Sequence, residues 1–338
     1  MGSKSCKKCN TFVIILVVTL IYAFFIGMLT VYKHFTAVNV VKTAFVFIPT
    51  GATLDDVVTI LDKEGVLKDK QMFITGAKQA KYTTIKSGKY RIVKGMRNRA
   101  LIRHLASGNQ VPVKLTLAGN IRDVEKIASI VSKQVEVDSV SMLYALNDNV
   151  LISELGFTPQ TVLSLFIPNT YEVYWNISGE GVMKRMKREY DSFWNDKRTA
   201  KLNDIGLTRE EVITIASIVN EETAKTDEMP KVAGVYMNRV NKKMKLDADP
   251  TLKFAVGDFS IKRVLDRHKE VDSPYNTYKY AGIPPGPICV PSIAAIDAVL
   301  NYEKHDYLYF CAKADFSGYH AFSKPFAQHN QSATLALI

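Results

Sequence analysis

A long uncharged stretch near the start of the chain constrains the fold more than any other feature. No charged residue occurs from Thr11 to Tyr32, and as a helix rising about 1.5 Å per residue this stretch reaches about 33 Å, enough to cross the hydrocarbon core of a bilayer. A cleaved signal peptide would have a shorter apolar core followed by a small-x-small site, which Tyr22-Ala23-Phe24 does not supply. The sequence therefore predicts an uncleaved transmembrane helix at residues 11–32.

The charges around this helix indicate how it crosses the membrane. Three lysines precede it, Lys4, Lys7 and Lys8, whereas two follow it, Lys33 and Lys42. Basic residues favour the cytoplasmic side, so we expect residues 1–10 to form a short cytoplasmic tail and the rest of the chain to lie outside the cytoplasm. The formal charge of +11 suits anionic partners such as phospholipid headgroups or acidic wall polymers. The extracytoplasmic placement argues against a nucleic-acid partner.

The cysteines and histidines do not predict a metal site. Four cysteines are too few for a disulfide scaffold. Cys6 and Cys9 form a C-x-x-C pair, but the two further ligands that zinc would need are not nearby. His320 and His329 lack both a paired H-x-x-x-H and a neighbouring carboxylate cluster. We therefore expect no metal.

The exported part begins with a short link at 33–44 and a small α/β unit at 45–112. The apolar run Phe45–Ile48 and the alternating run Gly88–Val93 predict two strands. Three helices are expected in the rest of this unit, the first of them capped by Thr53 with acidic residues close behind.

Residues 113–335 are expected to form a larger mixed domain. A strand, a Gly-containing turn and a helix begin it, further helices follow to about residue 240, and Pro-rich loops and a strand at Tyr307–Cys311 complete it. We therefore predict an α+β fold class, with one N-terminal transmembrane helix, a small α/β subdomain and a larger α+β domain.

One helix of the larger domain carries the strongest candidate for a catalytic group. Thr208 and Glu211 form a capping box, so a helix is expected to start at residue 209. At about 100° per residue, an apolar stripe and Glu222 fall on the same face, the stripe consisting of Val212, Ile215, Ile218 and Val219. Glu221 falls on the polar side instead, with Glu210, Thr214 and Ser217.

Two interpretations of Glu222 follow from this position. A carboxyl group in apolar surroundings has a raised pKa, and a raised pKa is what a general acid needs near neutral pH. Alternatively, Glu222 forms an ion pair with a buried arginine such as Arg239 and is structural. The periodicity of the helix leaves both open.

Downstream loops have a composition that suits a sugar site. Pro and Gly stiffen them, and they carry aromatic rings that stack on sugar C–H surfaces and amides that bond hydroxyl groups. For any single loop, a rigid connection explains the composition as well. The candidates for binding sugar or orienting Glu222 are Asn238, Arg239, Asp249, Thr251, Tyr275, Asn276 and His320.

Taken together and in order, these segments resemble the YceG-like family of endolytic murein transglycosylases. The matching segments are Ala216–Thr223, Asn238-Arg239, Asp249–Thr251, Ser273–Thr277, Gly282–Pro287, Tyr307–Phe310 and His320–Asn330. The resemblance implies a LysM-like subdomain at 45–112 and a YceG-like catalytic domain at 113–335. It also maps the catalytic glutamate of the family onto Glu222, whereas Asn220 replaces the first glutamate of the Glu-Lys-Glu-Thr motif.

The resemblance also implies an activity and a location. The expected protein is a single-pass enzyme of the bacterial cytoplasmic (inner) membrane that cuts nascent peptidoglycan strands between N-acetylmuramic acid and N-acetylglucosamine. It would leave a 1,6-anhydro end, stop strand elongation, need no cofactor, and work beside peptidoglycan synthases. Two alternatives remain: a glycoside hydrolase in which Asp249 activates water, and a non-catalytic scaffold that binds the cell wall.

Overall fold

The structure is a computed structural model that describes residues 4–32, 36–261 and 263–325. It divides into two compact units, one made of residues 1–113 with 172–176 and the other of 114–171 with 177–338. The described residues mix helices with three two-stranded sheets, which confirms the predicted α+β class. The likeness of the first unit to LysM stays a prediction.

The first unit begins with a helix that matches the uncharged stretch. Helix α1 spans Lys4–Val31, and its segment Thr11–Val31 is the one helix of the described residues that is long and apolar enough to cross a membrane. Its side chains are exposed from Thr11 onward. The helix starts at Lys4, earlier than the predicted residue 11, so residues 4–10 of the predicted tail are helical.

The rest of the first unit is a two-stranded sheet packed against helices. Its elements are β1 (Ala44–Ile48), α2 (Leu54–Lys63), α3 (Lys70–Gln79), β2 (Gly88–Ile92) and α4 (Asn98–Ser107). The strands pair antiparallel, with Val46 opposite Tyr90 and both side chains buried, as the period of two along a strand requires. The predicted cap Thr53 begins α2 and forms a capping box with Asp56. The two predicted strands and three predicted helices are therefore all present.

The second unit is mainly helical. Its elements are β3 (Val113–Leu117), α5 (Val124–Ser132), α6 (Ser139–Asn147), α7 (Asn149–Glu154), a 3₁₀ helix (Val162–Leu165), β4 (Asn169–Val173), α8 (Gly179–Phe193), α9 (Asp196–Ile205), α10 (Arg209–Glu222), α11 (Met229–Asn241), α12 (Asp249–Val256), α13 (Asp266–Lys269), α14 (Ile293–Leu300), β5 (Tyr309–Ala312) and β6 (His320–Ser323). Strand β3 pairs with β4 and β5 pairs antiparallel with β6. Residue 113 of β3 and residues 172–173 of β4 are counted with the first unit.

Helix α10 is the centre of the second unit. It packs against α11, α12 and α14, and every residue from Val212 to Val219 is buried. The predicted capping box of Thr208 and Glu211 is present, and the helix begins at Arg209 as expected. The predicted polar side of the helix is not exposed to solvent at Thr214 and Ser217, because both residues are buried. Their hydroxyl groups donate hydrogen bonds to backbone carbonyls of the preceding turn.

Candidate active site

Helix α10 ends by delivering Glu222 to the wall of a cavity of about 630 Å³. Contacts from a distant loop fix this end of the helix: the Ser217 hydroxyl accepts a hydrogen bond from the backbone of Ile288, and the Asn220 side chain accepts one from the backbone of Ser292. The Glu222 side chain is mostly buried but still reaches the cavity. A substrate group in the cavity can therefore meet a carboxyl group that is largely removed from water.

Tyr236 of helix α11 holds the Glu222 carboxyl in place. Its hydroxyl donates a hydrogen bond of 2.6 Å to Glu222 Oε1. The ring is buried and meets Phe310 edge to face at 5.9 Å, which fixes the phenol direction. Burial raises the pKa of Tyr236 well above its ordinary value, so the phenol stays a neutral donor. This contact occupies Oε1, and no hydrogen bond to Oε2 is present among the described residues.

Burial is also the main influence on the charge of Glu222. It raises the pKa of the carboxyl to about 7, against an ordinary value of 4.5. The hydrogen bond from Tyr236 works in the opposite direction, the negative charge of Asp249 adds to the rise, and His320 and Lys253 oppose it. A substantial fraction of Glu222 is thus protonated near neutral pH, as a general acid requires.

Arg239 lines the same cavity, but it is not the partner of Glu222. Its buried guanidinium donates to the carbonyl oxygens of Leu308 and Leu246 and contacts the Asp247 carboxylate at 3.0 Å. The alternative in which Arg239 neutralises Glu222 is therefore contradicted, because the ion pair of the guanidinium is with Asp247. The carboxylate that pairs with Arg239 is that of Asp247.

Asp249 stands free of arginine and lines the cavity with Glu222. One oxygen of its carboxylate accepts a hydrogen bond of 2.5 Å from the Tyr278 hydroxyl. The Lys269 ammonium lies 5.3 Å from the centre of the Tyr278 ring, and both of these residues line the cavity. This wall combines a carboxylate, a phenol and a cation, which suits the hydroxyl and amide groups of an acetylated sugar.

His320 reaches the cavity from strand β6 and belongs to a second hydrogen-bonded network. Its backbone N–H and its ring Nδ1 each lie 2.7 Å from an oxygen of Glu228, whose side chain is buried. The hydroxyl of Thr223, the residue after Glu222, donates to the same carboxylate at 3.3 Å. Glu228 thus ties the histidine to the end of helix α10. The rest of the predicted His320–Asn330 segment, residues 326–330, lies outside the described residues.

Two predicted amide residues support loops and do not line the cavity. Asn238 donates to the carbonyl oxygens of His305 and Tyr307 at 2.7 and 3.0 Å. Asn276 is fully buried and donates to the carbonyl oxygens of Lys269 and Val271, both at 2.8 Å. Each amide fixes backbone that leads to cavity residues, and so acts on the shape of the cavity from behind.

The other two predicted residues outside the cavity lining are also structural. The buried Thr251 hydroxyl donates to the carbonyl of Ala248 and shares a hydrogen bond of 2.7 Å with Thr277. Tyr275 packs on Phe254 at 4.6 Å. Of the seven candidate residues beside Glu222, the structure therefore brings Arg239, Asp249 and His320 to the cavity.

The sequence predictions omit three residues that hydrogen-bond to Glu222, Asp249 and His320, namely Tyr236, Tyr278 and Glu228. Tyr236 had a usable signal, because it falls among the buried residues Val232 and Val235 of a helix, and a buried phenol needs a partner. Glu228 carried no comparable signal, since its partner His320 is 92 residues away in sequence.

Glu221 is not among the residues that line the cavity, and it forms an ion pair with Arg122. Its carboxylate lies 2.6 Å from the Arg122 guanidinium, and only 11% of its side chain is exposed. In the orientation that satisfies both groups, the Asn120 amide donates to Glu221 and accepts from Arg122. The guanidinium also stacks on Phe259, 4.0 Å from the ring centre. Glu221 is therefore not a solvated residue of a polar face, as predicted, but a buried carboxylate matched by a cation.

Comparisons with known proteins place the chain in a family. The model of the YceG-like family matches residues 46–334. The endolytic murein transglycosylase of Bacillus subtilis strain 168 is 30% identical over 307 residues, which cover 86% of this chain and 84% of that protein. The protein of the same name from Streptococcus pneumoniae D39 is 29% identical over 81% of this chain and 55% of its own length. A crystal structure of a YceG-like protein from Listeria monocytogenes has a TM-score of 0.56 at 28% identity, covering 86% of this chain and 98% of that one.

Proposed function

Because the chain belongs to the YceG-like family, we propose that it is a lytic transglycosylase that cuts peptidoglycan strands internally, with Glu222 as the catalytic acid. Relatives that bear the name endolytic murein transglycosylase support the general activity. The observation that carries the role of Glu222 is its position: a carboxyl group at a cavity wall, with its pKa raised to about 7 by burial. It forms no ion pair with any described residue.

In the proposed reaction, Glu222 first donates its proton to the glycosidic oxygen between N-acetylmuramic acid and N-acetylglucosamine. The C1–O bond breaks, and positive charge develops on the muramyl C1 and ring oxygen. The carboxylate then accepts the proton of the muramyl C6 hydroxyl as O6 bonds to C1. The product is a 1,6-anhydro end, Glu222 regains its proton, and no water is consumed. A single carboxyl group thus serves as acid and base.

The neighbours of Glu222 have distinct parts in this scheme. Tyr236 holds Oε1, so Oε2 carries the proton that moves. Asp249 lines the same cavity and, as an anion, stabilises the positive charge that develops at C1. His320 is held by Glu228, which orients its ring at the cavity. No cluster of three or more His, Cys, Asp or Glu residues able to hold a metal occurs among residues 4–32, 36–261 and 263–325.

The hydrolase alternative keeps a basis in the structure because Asp249 shares the cavity with Glu222. A hydrolase would use Asp249 to activate water and would yield a reducing end. Digestion of purified sacculi by the full chain in detergent, followed by mass spectrometry of the fragments, separates the reactions. We expect fragments that lack the mass of one water relative to hydrolysis products. Reducing ends would support the hydrolase, and intact strands would support the non-catalytic scaffold.

We also propose that α1 anchors the chain in the bacterial cytoplasmic membrane, with its N-terminus in the cytoplasm and the catalytic domain outside. The support is the length and apolar character of Thr11–Val31. This placement would bring the enzyme to nascent strands beside peptidoglycan synthases. The full chain should stay in the membrane pellet after alkaline carbonate extraction, whereas a variant lacking residues 1–32 should be released and still cut isolated strands. Release of the full chain by carbonate would contradict the anchor.

A further inference from the structure

A second cavity lies in the first unit, beside the end of helix α1. Its volume is about 670 Å³. Val31, the last residue of α1, and Thr36, which follows the helix, contribute to its wall. Helix α4 and the residues that follow α3 form the remainder. The cavity is therefore next to the residue at which the apolar run stops.

Three cations line this cavity, Lys81, Arg99 and Arg103. Arg99 and Arg103 are one turn apart on α4, a spacing at which like charges repel. Neither arginine forms an ion pair with a described residue, and no Asp or Glu is among the described lining residues. An anion bound between these side chains would remove the repulsion.

Tyr82 also lines the cavity, and it carries an unsatisfied donor. Only 5% of the residue is exposed, and its buried hydroxyl has no hydrogen-bond partner within the described part of the chain. A buried polar group without a partner is costly, so its retention points to a ligand that accepts a hydrogen bond. Thr83 and Thr84 bring two more hydroxyl groups to the wall.

The end of helix α3 brings the lysine to the wall. Lys81 follows the C-cap of α3 with φ of 52°, the left-handed position at which a helix commonly ends, and the Tyr82 N–H donates to the carbonyl of Ala77 to close this turn. This conformation turns the chain so that the consecutive residues Lys81, Tyr82, Thr83 and Thr84 all line the cavity.

Most of the net positive charge of the chain lies in the segment that contains this cavity. Between Thr36 and Val113 there are 13 Lys and Arg residues and five Asp and Glu residues, whereas residues 114–338 contain 27 basic and 28 acidic residues. The larger unit is therefore almost neutral. A surface that faces anionic lipid gains from such a charge, whereas a catalytic unit does not need it.

We propose that this cavity binds the phosphate of an anionic phospholipid headgroup. Lys81, Arg99 and Arg103 would neutralise the phosphate, the Tyr82 hydroxyl would donate to it, and the apolar wall of Ile102 and Ala106 would contact the start of an acyl chain. The headgroup assignment rests on the membrane anchor proposed above, because only a spanning α1 places the cavity at the level of the phosphates.

Native mass spectrometry of the full chain in dodecyl maltoside, titrated with phosphatidylglycerol, tests the proposal. The Arg99→Gln/Arg103→Gln variant should bind the lipid about tenfold more weakly, because each basic residue near anionic lipid contributes roughly a few-fold in affinity. The matched control is Arg91→Gln/Lys94→Gln, which removes the same charge from exposed positions outside the cavity and should change binding less than about twofold. Equal losses in both variants would mean diffuse attraction and would overturn the cavity site.

Two further arms identify the ligand. Inorganic phosphate should not displace the lipid; displacement at equal concentration would mean that the site takes free phosphate, and would overturn the headgroup assignment. Tyr82→Phe should keep the lipid-free melting temperature while reducing the increase that phosphatidylglycerol produces. A lower melting temperature without lipid would show that the hydroxyl already has a partner. Cleavage of isolated strands, measured on the same samples, tests the catalytic proposal independently.

Discussion

The two sides of the end of helix α10 place neighbouring glutamates in opposite chemical situations. On one side, Glu221 meets Arg122 at 2.6 Å, and the Asn120 amide completes the contact. On the other side, Glu222 faces a cavity and accepts a hydrogen bond from the neutral Tyr236. Both side chains are mostly removed from water, so burial does not distinguish them. The presence or absence of a cationic partner does.

This difference explains how one helix end can contain a structural carboxylate and a candidate acid. A carboxylate next to a guanidinium is stabilised in its charged form, so it serves stability and cannot readily donate a proton. A carboxyl group that has only a phenol beside it keeps the pKa rise that burial produces, to about 7 for Glu222. Arg239 could have abolished the contrast, but its contacts with Asp247 and backbone carbonyls keep it from Glu222.

The largest expected effect comes from Glu222→Gln, which removes the acid and keeps the shape. Cleavage of a defined glycan strand should fall by roughly 10²–10⁴-fold, the usual contribution of a general acid–base group. Strand binding should persist, because amide and carboxyl groups are nearly isosteric. Retention of more than about a tenth of the wild-type rate, well above the residual activity expected without a general acid, would remove Glu222 from the mechanism.

The same variant tests the burial of Glu222 through stability. The folded-state pKa is raised, so the stability contribution of the protonated group is present below about pH 4.5 and is lost as pH rises through about 7. Glu222→Gln should therefore leave the free energy of unfolding unchanged at pH 4.5 and raise it by roughly 1–3 kcal/mol at pH 8. Denaturant unfolding at both pH values measures this, and a variant destabilised at pH 8 would contradict it.

The pH dependence of the wild-type rate is the next effect in size. The active form of Glu222 is protonated, so turnover should fall by about tenfold per pH unit once pH exceeds the pKa of about 7. A pH profile measured on a defined strand between pH 5 and 9 shows this alkaline limb. A flat profile would argue against Glu222 as the group whose protonation limits the rate.

The origin of the contrast also shows what the sequence could reveal. The capping box of Thr208 and Glu211 and the apolar stripe are local patterns, and the capping box correctly predicted the start of α10. The partner of Glu221 lies 99 residues away in Arg122, and no local pattern encodes such a contact. Helical periodicity can show that a residue faces inward, but not which group it will meet there.

The misjudged polar side of α10 has a related cause. Thr214 and Ser217 are polar, but each hydroxyl group bonds a carbonyl three or four residues earlier, so it can be buried at little cost. The same limit applies to Asn238 and Asn276, whose composition suited a sugar site. Their amide groups are used by backbone carbonyls instead. Residue type predicted polarity at these positions, whereas the fold decided what satisfies it.

Glu221→Gln should have a smaller effect on catalysis than Glu222→Gln and a clear effect on stability. The glutamine amide leaves the Arg122 guanidinium without a charge partner, and the Arg122 side chain is only 29% exposed. The loss of the partner should lower the free energy of unfolding by about 1–3 kcal/mol. The turnover number on a defined strand should change by less than about threefold in conditions where the variant is folded, because a side chain outside the site has no part in proton transfer.

A double-mutant cycle with Arg122→Gln separates the pair from the rest of the site. Adding Arg122→Gln to Glu221→Gln should recover part of the lost stability, because the unpaired charge is removed. An equal loss of turnover in Glu221→Gln and Glu222→Gln, with both proteins folded, would show that the contrast between the two glutamates is wrong.

Tyr236→Phe gives the smallest and most specific effect. The Tyr236 hydrogen bond lowers the pKa of Glu222, so its removal should raise that pKa and shift the alkaline limb of the profile to higher pH. The shift should be about one unit or less, since a single hydrogen bond is involved, and turnover at the optimum should fall only a few-fold as the carboxyl loses orientation. The matched control is Tyr278→Phe, which removes a phenol from the same cavity but one that donates to Asp249. Its alkaline limb should stay in place. A limb that moved to lower pH in Tyr236→Phe, or equally in both variants, would mean that the phenol does not act on Glu222, and the acid would have to be sought elsewhere in the cavity.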